Sequence, residues 1–161
     1  MLYYKMNNQS TQTQKWNADK QLGNYGENIV INYLNNLEQY KDNQFKLFKY
    51  QYNTFDLRNN DIVAEVKSRR NKYSKYPTTM VGMNKIKEAI SNHDNFTYDF
   101  YFLFTDGLYR WRFWDKDDEE SMPYSIGDGG RTDRGYNEIK KYAYIKIEHL
   151  ELITTEIKSF S

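Results

Sequence analysis

Residues Thr54–Ser68, TFDLRNNDIVAEVKS, hold two short apolar-alternating runs on either side of Asn59-Asn60. Asn tolerates the positive φ that a two-residue hairpin turn demands, so this pattern predicts two antiparallel strands joined at Asn59-Asn60. That turn opposes Arg58 to Asp61, Leu57 to Ile62, Asp56 to Val63 and Phe55 to Ala64. Opposed residues share a face and side chains alternate along a strand. Phe55, Leu57, Ile62, Ala64 and Val66 then form a wholly apolar side, while Asp56, Val63, Glu65 and Lys67 form the other. On that second side Asp56 is diagonal to Glu65 at about 7–8 Å between backbones, close enough for both carboxylates to reach one hard cation. Asp61, four residues from Glu65 on one strand, lies about 13 Å away at the strand rise and is too far to share an ion.

Working upstream, Leu22, Tyr25, Ile29, Val30, Tyr33, Leu34 and Leu37 recur at spacings of three and four and predict an amphipathic helix over Ala18–Tyr40. Glu27 stands on or beside its apolar stripe, where a carboxylate needs a partner, and Gly23 and Gly26 on the adjoining turn would let the helix approach the sheet closely. Residues 1–17 are polar without period and read as a flexible lead-in, leaving 18–161 as one domain. Phe45–Gln51 is a third strand, separated from the hairpin by Tyr52-Asn53. Downstream, the basic stretch Lys67–Lys75 leads past Pro77 to a second helix carrying Val81, Ile86, Ala89 and Ile90 and ending near Asn92. Tyr98–Thr105 reads as a buried central strand, turned by Asp106-Gly107 into Leu108–Trp114. Asp115–Asn137, with Asp117-Asp118-Glu119-Glu120 and Gly127-Asp128-Gly129-Gly130, reads as a long exposed loop before strand-like Tyr142–Ile147 and Leu150–Ile157.

Composition bounds the function. The 161 residues are 39% hydrophobic, enough for one core. Twenty-three Lys and Arg against 22 Asp and Glu leave a formal net charge of +1, so the surface as a whole does not coat a polyanion, and any nucleic acid must be met by a local patch. There is no Cys, which removes disulfides, thiolate metal sites and cysteine nucleophiles together. No apolar run reaches the roughly 20 residues that span a bilayer, so no membrane association and a cytoplasmic or other intracellular location are expected. His93 and His149 are isolated, without the pairing of a His-based nuclease or a zinc site. Trp111 and Trp114 read as packing residues.

Asp56, then eight residues, then Glu65-Val66-Lys67, preceded by a helix with Gly23-Asn24-Tyr25-Gly26-Glu27, resembles the PD-(D/E)xK nuclease superfamily over roughly residues 18–105. Phe55 stands where that motif often has Pro. The resemblance implies an α/β restriction-endonuclease-like core, a mixed central sheet flanked by helices in αβββαβ order, here with additional C-terminal strands. It implies a Mg²⁺ (or Mn²⁺) ion held by Asp56, Glu65 and the Val66 carbonyl, completed by Glu27 directly or through water. Lys67 would orient the attacking water and neutralise charge developing on the phosphate, the work of an ammonium rather than a general base. Where the strand hands the chain to the rim of such a site, Arg69, Arg70, Lys72, Tyr73, Lys75, Thr78 and Thr79 form an expected phosphate track, extended by Asn84, Lys85 and Lys87 on the second helix. The expectation is thus a Mg²⁺-dependent DNA endonuclease, its origin in a virus or mobile element left open, working as a homodimer through the Tyr98–Trp114 hairpin. A ribonuclease and a catalytically silent binding module of the same fold are the alternatives; the intact Asp56, Glu65 and Lys67 count against the second.

Overall fold

Ile62–Ser68 is the strand around which the molecule is built. The computed structural model describes residues 2–48, 55–114, 123–129 and 140–160, with side chains from Thr13 onward. Its elements are α1 (Leu2–Asn35), β1 (Lys46–Leu47), β2 (Leu57–Arg58), β3 (Ile62–Ser68), β4 (Thr78–Gly82), α2 (Met83–Asn92), β5 (Thr97–Phe104), β6 (Gly107–Arg112), β7 (Tyr124–Gly129), β8 (Lys140–Lys146) and β9 (Glu151–Thr154). Strands pair in the order β1-β2-β3-β5-β6-β9, with β3 and β5 parallel and every other pair antiparallel. The far end of the expected Phe45–Gln51 strand, the Tyr52-Asn53 break and the acidic Asp117–Glu120 run lie outside the described residues.

The hairpin forms, but one residue later than expected. Asn59 Oδ1 accepts from the backbone N–H groups of Asp61 at 2.9 Å and Ile62 at 2.7 Å, and Asn59 N–H donates to the Ile62 carbonyl at 3.0 Å. The turn residues are therefore Asn60-Asp61, closed by a side-chain oxygen, and no described non-glycine residue adopts positive φ. The ladder pairs Leu57 with Ala64 and Arg58 with Val63. This shifts each partner by two residues, an even step that keeps every β3 side chain on its expected face. Phe55 does not keep its face. Asp56 N–H donates to the Ala64 carbonyl while Leu57 is Ala64's ladder partner, so two residues oppose one, as in a β-bulge. The extra residue turns Phe55 to the opposite side, where its ring packs edge-on against Tyr98 and Phe100.

One face of the sheet is covered by α1. Val30, Ile31 and Leu34 pack on Leu57, Ile62, Ala64, Val66, Tyr101, Leu103 and Leu108. The helix starts at Leu2 rather than Ala18, since nothing before Gly23 is Gly or Pro to stop it, and the segment read as a lead-in is helical. It ends at Asn35, whose side chain clamps Phe45 by accepting from its N–H at 2.7 Å and donating to its carbonyl at 3.0 Å. Gly26 is buried where an added Cβ would collide with Ser68 Oγ, the close approach expected of it, whereas Gly23 has nothing within 4 Å and serves no such contact.

The other face carries α2 and a second antiparallel sheet ordered β4-β8-β7, closing a core of Phe55, Val81, Ile86, Ala89, Phe100, Phe102, Trp111 and Ile145. This sheet departs from the sequence expectation twice. Val81 belongs to β4, not to the second helix, because Thr78-Thr79-Met80-Val81 is a β-favouring run whose Val81 is buried against that core. Tyr124–Gly129, read as loop from its glycines, is a strand: a Cβ on Gly129 would lie 2.9 Å from a Tyr142 ring carbon, and one on Gly127 3.1 Å from the Tyr144 ring. Those glycines seat tyrosine rings. The β5–β6 hairpin turns at Thr105-Asp106, Phe104 pairing Gly107. Both its strands lie inside the sheet with side chains in both cores.

Candidate active site at the edge of the third strand

Because β2 is only two residues long, the edge of β3 beyond Ala64 has no described strand beside it. Asp56, released by the bulge, fills that edge with its side chain: its Oδ2 accepts from the Val66 N–H at 2.9 Å. The Ala64 carbonyl already faces this side, and strand alternation directs the Val66 carbonyl, two residues on, the same way. Glu65 points to the opposite face from α1, toward α2, and is 3% exposed. Lys67 Nζ lies 2.9 Å from Glu65 Oε1, and Lys85 Nζ, from the first turn of α2, lies 3.2 Å from Glu65 Oε2. Lys85 also sits 5.1 Å above the Phe55 ring, which the bulge has placed on this side.

Electrostatics tie the group together. Burial pushes the Asp56 carboxyl above the usual carboxylate range; the Val66 N–H opposes the rise, the nearby Glu27 adds to it, and Lys67 and a hydrogen bond with Glu65 pull it back. Burial likewise raises Glu65, with Lys67 and Lys85 lowering it and Asp56 raising it. Two carboxyl groups held together against their own ionisation, with cations beside them, form a site that gains from further positive charge. Glu27 approaches from the α1 side, so the cluster is fed from both faces of the sheet and meets at its edge.

The expected residues thus divide. Asp56, Glu65, Lys67 and the Val66 backbone come together, and Glu27 is within electrostatic reach of Asp56. Lys85, expected on the rim, is also a second lysine on Glu65, a contact between separate elements that is not visible in sequence. The basic stretch behaves otherwise. Arg69 turns inward, donating to the Met80 carbonyl at 2.7 Å, and its desolvation lowers its pKa to about 10. Arg70 pairs with Asp19 of α1 at 2.9 Å. Tyr73 stacks on Tyr109 at 4.0 Å and donates its hydroxyl to the Ile147 carbonyl at 2.7 Å, and Thr79 is buried in β4. Arg69 and Thr79 are thus engaged with β4, Tyr73 with β6 and the end of β8, and Arg70 with α1, so these four side chains of the expected phosphate track already hold contacts within the fold. Thr78 pairs with Lys146 in the ladder, while Lys72 and Lys75 are exposed.

For a divalent ion the fit is partial and specific. Among the described residues no three Asp, Glu or His side chains are grouped to enclose a metal. What is present is a pair of hard carboxylates, a carbonyl directed to the same edge, and a buried Glu65 Oε2 that makes no hydrogen bond of good geometry. Such hard oxygen donors suit Mg²⁺ or Mn²⁺, which take few protein ligands and keep water for the rest.

No helix among the described residues is long and apolar enough to cross a membrane. Comparison with curated proteins and with solved structures gave no match. A family model described as "Phage putative PDDEXK endonuclease" matches residues 35–155, taking in Asp56, Glu65, Lys67, Lys85 and both sheets and leaving Glu27 outside. With most of its length so matched, and with a mixed central sheet flanked by helices that carries Glu65 and Lys67 on β3 and Asp56 just before β2, the chain belongs to this phage PDDEXK endonuclease family.

Proposed function

We propose that the chain is a Mg²⁺- or Mn²⁺-dependent endonuclease acting on DNA. The observation that carries the reading is the pair Asp56 and Glu65, both raised above the ordinary carboxylate range by burial and both beside Lys67 at an open strand edge. Asp56, Glu65 and the Val66 carbonyl would hold the ion, and Glu27 would support it from the α1 side. When bound, the ion supplies Lewis-acid polarisation of the phosphodiester and a water of lowered pKa. Lys67, about one third exposed and fixed on Glu65, presents a compact positive charge where negative charge grows on the phosphate in the transition state. Lys85 holds the second oxygen of Glu65, which orients that carboxylate and offsets part of its burial.

The test is digestion of supercoiled plasmid, linear duplex and a matched RNA with Mg²⁺, Mn²⁺ or chelator, using the wild-type chain and Glu65→Gln. Metal-dependent conversion of plasmid to nicked and linear forms, absent in Glu65→Gln, is expected. Cleavage of RNA alone would transfer the reading to a ribonuclease, and no cleavage of either would overturn it.

A further inference from the structure

Beside the carboxylates, between the amino end of α2 and β8, lies a cleft of about 610 Å³. Its walls carry Lys67, Lys85, Lys87, Lys140 and Lys141 together with Tyr142, and among the described residues no carboxylate lines it. In a chain whose charges sum to +1, five lysines facing one space, with no acid among its described lining residues, are a local concentration of positive potential. Two neighbours temper it: Glu65 lies beneath Lys67 and Lys85, and Asp128 of β7 pairs with Lys141 at 2.7 Å. Lys87 and Lys140 are exposed, and no ion pair of theirs is seen among the described residues. The amino end of α2, Gly82 to Lys85, lines the same space, and Gly82 provides no side-chain cap there.

We infer that this cleft holds the phosphodiester backbone of the DNA strand being cut, with Lys87 and Lys140 as its phosphate-binding residues and Lys67 and Lys85 at its catalytic end. The inference rests on the endonuclease reading and adds the path of the substrate. Continuity carries it: the two lysines that hold Glu65 are also the inner wall of the cleft, so a strand lying along it meets the carboxylates without leaving positive potential. The space beside the basic stretch, about 390 Å³ and lined by Arg69, Tyr73, Thr78, Thr79 and Phe104 among others, lacks that continuity, since its arginine is turned to a carbonyl.

The experiment measures binding of a labelled mixed-sequence duplex in chelator between about 50 and 200 mM salt, and Mg²⁺-supported cleavage, for wild type and three double variants. Lys87→Ala/Lys140→Ala should lower the salt slope by about one to two units and weaken binding roughly tenfold. Its KM should rise while turnover at saturating DNA stays within about twofold. Lys41→Ala/Lys158→Ala, the same charge change elsewhere on the surface, should leave both unaltered. A slope unchanged in Lys87→Ala/Lys140→Ala, with wild type still cutting, would overturn the cleft and leave the endonuclease reading standing. A larger slope change in Lys72→Ala/Lys75→Ala would move the path to the basic stretch and overturn it equally. Slope loss in the cleft variant with no cutting by wild type would support the cleft as a binding site and sink the endonuclease reading alone.

Discussion

Two groups of cations lie near the carboxylates of β3, and they differ in how they were brought together. Arg69, Arg70, Lys72 and Lys75 are neighbours in the chain, and their arginines are consumed by the fold: one on the Met80 carbonyl, one on Asp19. Lys67, Lys85, Lys87, Lys140 and Lys141 come from β3, α2 and β8, and tertiary structure alone makes them a patch. A run of positive charge in sequence says little about an anion site when other elements pack over it, because each buried guanidinium must find an acceptor. Cations that converge from separate elements in excess of the acids they meet, here Glu65 on Lys67 and Lys85 and Asp128 on Lys141, carry like-charge repulsion, which a bound polyanion relieves.

The largest expected effects fall at the carboxylate end of the lysine group. Asp56→Asn and Glu65→Gln should each reduce cleavage by about 10³-fold or more while DNA affinity in chelator holds or rises, since each removes a negative charge beside the lysines of the cleft. Lys67→Ala should reduce single-turnover cleavage comparably with little change in DNA affinity, as its charge meets one that grows in the transition state. Lys85→Ala should lose roughly tenfold, about 1.4 kcal/mol, because Glu65 keeps its Lys67 partner. Equal losses of affinity and rate in all four variants would erase the distinction between the catalytic and binding ends.

Arg69→Ala probes the other group. It strips the Met80 carbonyl of its donor and leaves space beside Phe102, so a loss of about 1–3 kcal/mol is expected, read as a thermal shift of roughly 2–4 °C per kcal/mol. The salt slope for DNA should not change. A lower slope without loss of stability would return Arg69 to the phosphate track.

The two groups should also differ in pH response. Asp56 and Glu65 have folded-state pKa values raised by burial, so their contribution to stability is fully present below the ordinary carboxylate range near pH 4 and is lost as pH rises through the raised values. Metal-free protein should therefore gain thermal stability from Asp56→Asn at pH 7, by a few degrees, and little at pH 4. Arg69, lowered to about 10, stays charged across that window and adds no slope to it. Urea melts of wild type and Asp56→Asn at the two pH values check this; an equal difference at both would remove the electrostatic cause.

What could be read from the sequence follows from which constraints are local. Glu65 and Lys67 were legible because face parity along β3 survives an even register shift, and the turn moved the pairing by two residues; Asp56 was legible by its spacing, though it reaches them through a bulge. Phe55 was not, because the bulge at Asp56 depends on a side chain replacing a strand partner. The second sheet was hidden twice over: Gly127-Asp128-Gly129 has the composition of a turn, and only the Tyr142 and Tyr144 rings across the ladder explain it. With that sheet unseen, neither the inward Arg69 nor the approach of Lys140 to Lys67 had a visible cause.

Arg70 gives the smallest effect and the finest cut between the groups. Its side chain is 41% exposed and its partner Asp19 16% exposed, so the pair is only partly shielded from solvent and worth roughly 0–1 kcal/mol. Arg70→Ala should thus lower the melting temperature by at most a few degrees, less at high salt, where screening already weakens the pair. The same substitution removes one unit of positive charge, as Lys140→Ala does. If any cation near the site served DNA equally, the two variants would lower the salt slope alike, by about 0.9 each. The pairing of Arg70 with Asp19 means that a phosphate at this position would have to displace a carboxylate already in place, whereas Lys140 makes no ion pair among the described residues. Arg70→Ala should therefore change the slope by well under half the amount that Lys140→Ala does. Binding isotherms of the two single variants on one duplex decide it: equal slope changes would show that nearness to the site, rather than freedom from an acidic partner, selects the residues that meet the backbone.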